Sequence, residues 1–313
     1  MCGIAGLIHK GKTVNIGKEI QDMLQALKHR GPDSTGYALY GEGSNGDYIM
    51  RFKVGENVGE GSSAVNEDKS VYDSRKKQVD SHLKELGAEI VKEDRLTPYS
   101  FRYIIKYDKD LMEFSKKIES VEMTEILSLG KSLELVKDLG DANTVSKQYG
   151  LDKMKGTHAI GHSRMATESG VDIRSAHPFW GYPFSDMSVV HNGQLTSYWN
   201  NRRILERKGM RFVSECDSEL IAVYLAEKMR SGVTLEQGMK DSIKELDGVF
   251  TYLVATKDSL GMAKDVMAAK PMVLYESDDL VALGSEEIAI RTLLPQEIDT
   301  YDPYEGEVKV WQT

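Results

Sequence analysis

Met1-Cys2-Gly3-Ile4-Ala5-Gly6 opens the chain with a cysteine at its second position. Removal of Met1 would place a thiol and a free α-amine on one α-carbon. An amine so placed can act as general base for its own side chain, one known way to activate a nucleophile. A small buried residue opening a strand explains the same cysteine. The rest of the chain has to decide between the two.

Working outward, Gly3–Ile8 reads as a strand, and Ile16, Ile20, Met23, Leu24 and Leu27 recur at helical spacing. His29-Arg30-Gly31-Pro32-Asp33-Ser34 stops that helix, and Tyr37–Tyr40 reads as a second strand. Gly41–Gly61, rich in glycine and asparagine, reads as a hairpin or loop. Between about 62 and 155 the text becomes highly charged and carries no catalytic motif. It predicts an α+β insertion with helices at Ser74–Leu86 and around Leu111, Phe114 and Ile118, and a strand at Ser100–Tyr107. Beyond it, His158–Ile160, Met187–His191, Val249–Thr256 and Val273–Leu283 read as strands. Leu220–Met229 and Leu235–Leu246 give apolar helix faces. Gly41-Glu42-Gly43-Ser44-Asn45-Gly46 spells GxGxxG after the second strand but opens no helical pattern, so the strand-helix-helix-strand text gives α+β as the expected class, antiparallel sheets with helices packed outside, not a dinucleotide fold.

Composition narrows the function. With 313 residues the chain makes one large domain or two ordinary ones, and 40% apolar content is enough for a full core. A net charge of −9 lacks the basic face that nucleic-acid binding requires, so no nucleic-acid partner is expected. No run approaches 18 apolar residues, and the first residues lack a secretory pattern, so no membrane association is expected. Cys2 and Cys216 are the two cysteines, which suits a reducing, cytoplasmic setting. The seven histidines form no metal-ligand spacing, and neither a metal nor a cofactor is expected.

Three further stretches carry chemistry. Gly161-His162-Ser163-Arg164-Met165-Ala166-Thr167 sets an arginine among small residues at a strand end, where its planar fork suits a carboxylate or a surface salt bridge. His191-Asn192-Gly193 reads as a strand end turning on glycine. The same residues, a side-chain NH2 and an unencumbered backbone N–H, also make a workable oxyanion hole. Glu215-Cys216-Asp217-Ser218-Glu219 opens a helix, with Asp217 as its N-cap or as a receptor for an ammonium group, and Cys216 as a buried small residue. Taken together, a thiol, a carboxylate receptor, an ammonium receptor and an oxyanion hole describe a pocket for an α-amino acid bearing a side-chain amide. Glutamine fits.

CGIAG at Cys2–Gly6, HRGPDSTG at His29–Gly36, GHSRMAT at Gly161–Thr167, HNG at His191–Gly193 and DSE at Asp217–Glu219 stand in one order. In that order they resemble the class II glutamine amidotransferases, which are N-terminal-nucleophile hydrolases. Asp265–Pro271 and Gly284-Ser285-Glu286 echo later elements of the family. The resemblance implies a four-layer αββα sandwich of two antiparallel sheets in a single domain over 1–313, with the inserted subdomain at about 62–155. It implies Cys2 as nucleophile, Asn192 and Gly193 as oxyanion hole, Arg164 on the glutamine carboxylate and Asp217 on its amine. It further implies Arg30 and Gly31–Ser34 shaping the pocket, Thr167 lining it and His177 standing behind it. Met165 and Glu168 depart from the tryptophan and histidine common in the family.

The wording of Arg164–Glu168, Ser175–Trp180 and His191–Leu195 is most similar to stand-alone amidotransferase subunits of glutamate synthase and N-methylglutamate synthase. That likeness implies ammonia delivery to a separate synthase subunit containing flavin and an iron–sulfur cluster, with homo-oligomerisation also open. Two other readings stay open: a cysteine hydrolase of another amide, and a non-catalytic glutamine-sensing subunit.

Overall fold

The structure is a computed structural model and describes residues 2–56, 67–165 and 173–313. The apolar run after Cys2 forms the strand Gly3–His9 inside a six-stranded sheet, between Leu280–Gly284 and His158–Arg164. Ser34–Tyr40 and Leu133–Leu139 extend the sheet on one side, and Val273–Glu276 ends it on the other. Covered on both faces, the first strand buries every residue from Gly3 to Ile8, which is why its text is apolar without alternation. The helix Ile16–Ala26 starts at Asn15, whose side chain accepts from the Lys18 N–H, and buries Ile16, Ile20, Met23 and Leu24. It packs on this sheet beside the helix Ala142–Tyr149.

A five-stranded sheet lies against the first in the order Val308–Gln312, Ser259–Lys264, Gly248–Ala255, Ser188–Leu195, Phe179–Trp180. Its outer face carries the helices Asp217–Arg230 and Leu235–Glu245, and Tyr198–Arg207 packs on the first of them. Ile4, Ile160, Val190 and Leu253 belong to the apolar layer between the sheets. Helix, sheet, sheet and helix give the four layers of the N-terminal-nucleophile sandwich, and the paired strands of the described residues run antiparallel. Among the described residues no helix is long and apolar enough to cross a membrane.

The charged middle stretch divides in two. A third sheet, in the order Glu89–Arg95, Ser100–Lys106, Tyr48–Lys53, Glu125–Gly130, stands with the helices Lys69–Leu86 and Leu111–Ile118. Leu133–Leu139 instead pairs with Ser34–Tyr40 in the six-stranded sheet. Tyr48–Lys53 corrects the expectation of a hairpin or loop over 41–61. Paired on both sides, it buries Ile49, Met50 and Phe52, which the surrounding glycines and asparagines hid. Glu89–Arg95 is an exposed edge strand, to which the sequence reading assigned no element.

Candidate active site

The first strand delivers Cys2. Gly3 stands opposite Ser163 in the ladder, so the next step of that register sets Arg164 across from Cys2. Arg164 is flanked on its other side by Ser34. The 31–34 loop lies against this strand end: Asp33 N–H donates to the Arg164 carbonyl, 3.1 Å. A Cβ on Gly31 would come within 2.5 Å of that carbonyl carbon, so only glycine allows the approach.

Cys2 is held from both ends. Its carbonyl accepts from Arg30 Nε at 3.0 Å and from Asn192 Nδ2 at 3.2 Å. Its Sγ accepts from the Met165 N–H at 3.4 Å. Arg30 in turn pairs with Glu286 at 2.6 Å, and Ser285 Oγ accepts from the Ile4 N–H at 2.9 Å. Arg30 therefore braces the Cys2 backbone from a buried position.

Asn192 and Gly193 do not sit at a turn, which corrects the expectation above. The strand runs on to Leu195, and Gly193 pairs with Phe250. Glycine is needed there because φ is 152° and a Cβ would lie 2.1 Å from the Val249 carbonyl oxygen. Asp217 is likewise not the N-cap. Cys216 occupies that position, and Asp217 begins the helix Asp217–Arg230. Asp217 Oδ2 accepts from the Leu195 N–H at 2.8 Å, tying the helix start to the strand that carries Asn192. Cys216 is only partly buried and faces the cavity, while burial, followed by the charge of Asp217, pushes its thiol up to about 11.

Cys2, Arg164, His177, Asn192, Gly193 and Asp217 line one cavity of about 1040 Å3. Of the expected pocket residues, Arg30 stands behind the lining, and Thr167, with Glu168, lies outside the described residues. His177 stacks on His162 at 4.0 Å between ring centroids, and His191 is hydrogen bonded to Ser218 Oγ at 2.7 Å. Burial lowers all three imidazoles, His162 to about 3 and His191 to about 4, so they are neutral at pH 7. Among the described residues no group of three or more His, Cys, Asp or Glu is arranged to hold a metal.

A glutamine amidotransferase domain model matches residues 162–292. A Methanothermobacter thermautotrophicus protein, provisionally named a glutamine amidotransferase, is 37% identical over 100% of both chains. The glutamine amidotransferase-like protein GlxB of Rhizobium meliloti is 34% identical over 94% of this chain and 92% of its own. The chain belongs to the class II glutamine amidotransferases. Among solved structures, the glutamine phosphoribosylpyrophosphate amidotransferase of B. subtilis shares the fold with a TM-score of 0.60 at 18% identity. The match covers 99% of this chain, which spans about half the length of that one, 47%.

In this amidotransferase, several site residues escaped sequence reasoning. His162 and His191 were embedded in quoted motifs without a role of their own, and their burial beside the cavity emerges only from the packing of two sheets. Glu286 had a signal, the Gly284-Ser285-Glu286 echo, but its pairing with Arg30 spans 256 positions. Tyr198, Arg202 and Phe212 also line the cavity and had none.

Proposed function

We propose that this amidotransferase hydrolyses L-glutamine through Cys2 as an N-terminal nucleophile once Met1 is removed. Cys2 Sγ attacks the side-chain amide carbon while the α-amine takes the thiol proton. The Asn192 amide, rotating from the Cys2 carbonyl, and the Gly193 N–H receive the oxyanion. The tetrahedral adduct collapses to a γ-glutamyl thioester, and the α-ammonium returns the proton to the departing ammonia. Water then cleaves the thioester to glutamate and frees the thiol. Arg164 binds the α-carboxylate as a charge-assisted pair. Asp217 takes the α-ammonium on Oδ1, which Ser218 Oγ approaches at 3.4 Å, while Oδ2 keeps the Leu195 N–H.

The observation that carries the reading is the gathering of Cys2, Arg164, Asn192, Gly193 and Asp217 around a single cavity. Ammonia would pass to a separate cytoplasmic synthase subunit of the glutamate synthase or N-methylglutamate synthase type, bearing flavin and an iron–sulfur cluster. The likeness in motif wording supports that partner. Intact mass and turnover test the nucleophile together. The expected protein lacks Met1, and a tag ahead of Cys2 or the change Cys2→Ala abolishes glutamate release. Full activity with Met1 retained would sink the proposal.

A further inference from the structure

We propose that the inserted four-stranded unit is a working part of the glutamine pocket, with Glu119 and Glu125 as positioning residues that set two of its wall segments. The pocket's ligand is taken from the glutaminase reading above, on which this inference rests.

The first link runs to the segment 212–216, which lines the cavity. Glu119 follows the inserted helix Leu111–Ile118 and accepts from the Ile126 N–H in the third sheet at 2.9 Å. It also accepts from Arg211 Nη2 at 2.6 Å, one residue before the wall begins. The Arg211 guanidinium lies 4.3 Å from the Tyr182 ring centroid, which fixes its direction. The wall itself is pinned from inside by Glu219, which accepts from the Val213 and Ser214 N–H groups at 2.8 Å each. Loss of Glu119 would leave Arg211 free to pull that segment out of place.

The second link runs to the segment holding Arg174, Ser175 and His177, which also lines the cavity. Glu125 lies between Lys53 at 3.1 Å and Lys137 at 3.2 Å. Lys137, carried by the six-stranded sheet, donates to the Arg174 carbonyl at 3.1 Å and sits 4.9 Å from the Phe179 ring centroid. Glu56, itself a lining residue, pairs with Lys53 and approaches Arg174 Nε at 3.9 Å. Lys53, Glu125 and Lys137 are each at most 3% exposed. Apolar packing would join two sheets without such charges, whereas paired buried charges fix a direction and tolerate little displacement.

The test uses the full chain. Glu119→Ala and Glu125→Gln are expected to raise the KM for glutamine by about tenfold or more while kcat stays within about threefold. Glu119→Gln, which keeps an acceptor oxygen, returns KM to within about threefold of wild type. Glu93→Ala, which removes the exposed Lys76–Glu93 pair of the same unit, leaves KM unchanged. Should Glu125→Gln fail to fold, Lys137→Met keeps Glu125 paired with Lys53 and replaces it in the test. Hydrogen exchange is read alongside, with faster exchange expected at 212–216 in Glu119→Ala and at 173–179 in the Glu125 or Lys137 variant. Unchanged KM, or wall exchange equal to wild type while the melting temperature falls, would overturn the proposal. If the wild-type protein hydrolyses no glutamine, the glutaminase reading fails, and wall exchange alone decides this one.

Discussion

Asn192 donates its side-chain amide to the carbonyl oxygen of Cys2 at 3.2 Å, across 190 positions of sequence. The contact joins the two sheets of the sandwich, because Cys2 precedes a strand of the six-stranded sheet and Asn192 lies in the five-stranded one. The proposed oxyanion donor is thereby stationed at the backbone of the proposed nucleophile.

Asn192→Asp keeps the size and removes the donor. In the proposed mechanism kcat falls by about 100- to 1000-fold, since losing one oxyanion donor costs about 2.7–4 kcal/mol of barrier. KM should move only a few-fold. Steady-state glutaminase kinetics read both, and a normal kcat would remove Asn192 from the oxyanion hole.

Arg164→Ala and Asp217→Asn each delete one of the two proposed receptors for the ends of an amino acid. Charge-assisted hydrogen bonds contribute about 1.5–3 kcal/mol, so KM for glutamine should rise roughly 10- to 150-fold. An unaltered KM in both variants would favour hydrolysis of a different amide.

Gly193→Ala tests the backbone requirement apart from the chemistry. The new methyl group would lie 2.1 Å from the Val249 oxygen and 2.7 Å from the Phe250 Cα, at a φ that side chains rarely adopt. Strain of this kind costs on the order of 1–3 kcal/mol. The melting temperature and soluble yield should both drop, and a variant as stable as wild type would show that the strand can shift.

The buried histidines predict a pH dependence of stability. His162 and His191 are lowered to about 3 and 4 by burial, against an ordinary value of 6.5. Below that ordinary value the unfolded chain takes up protons that the folded chain refuses. Stability is therefore full above about pH 6.5 and declines as pH falls toward 4. Melting temperatures measured from pH 7.5 to 5 should drop by several degrees, and His162→Asn should flatten the decline. A flat wild-type profile would contradict burial of these rings in the neutral form.

How much could be read in advance varied with the distance over which each feature is decided. The helices at Ile16–Ala26, Asp217–Arg230 and Leu235–Glu245 were legible because apolar residues at helical spacing are a local signal. Tyr48–Lys53 was not, because its burial comes from neighbours remote in sequence, Ser100–Lys106 and Glu125–Gly130. The turn assigned to His191-Asn192-Gly193 shows the same limit. Asn-Gly is locally a hairpin signal, and pairing with Gly248–Ala255 overrides it.

The order of short motifs from Cys2 to Glu219 determined the family, since each motif carries residue types that its chemistry demands wherever the chain later folds. Tertiary structure alone decided that Arg30 braces the Cys2 carbonyl, that Asp217 is tied to Leu195, and that three neutral histidines lie beside the cavity. It also joined Glu125 to Lys137 and Glu119 to Arg211, cations that adjoin segments lining the cavity without lining it themselves. Residue type fixes what a group can do, but burial and partner choice arise only when strands far apart in sequence share one sheet, or two sheets close on one another.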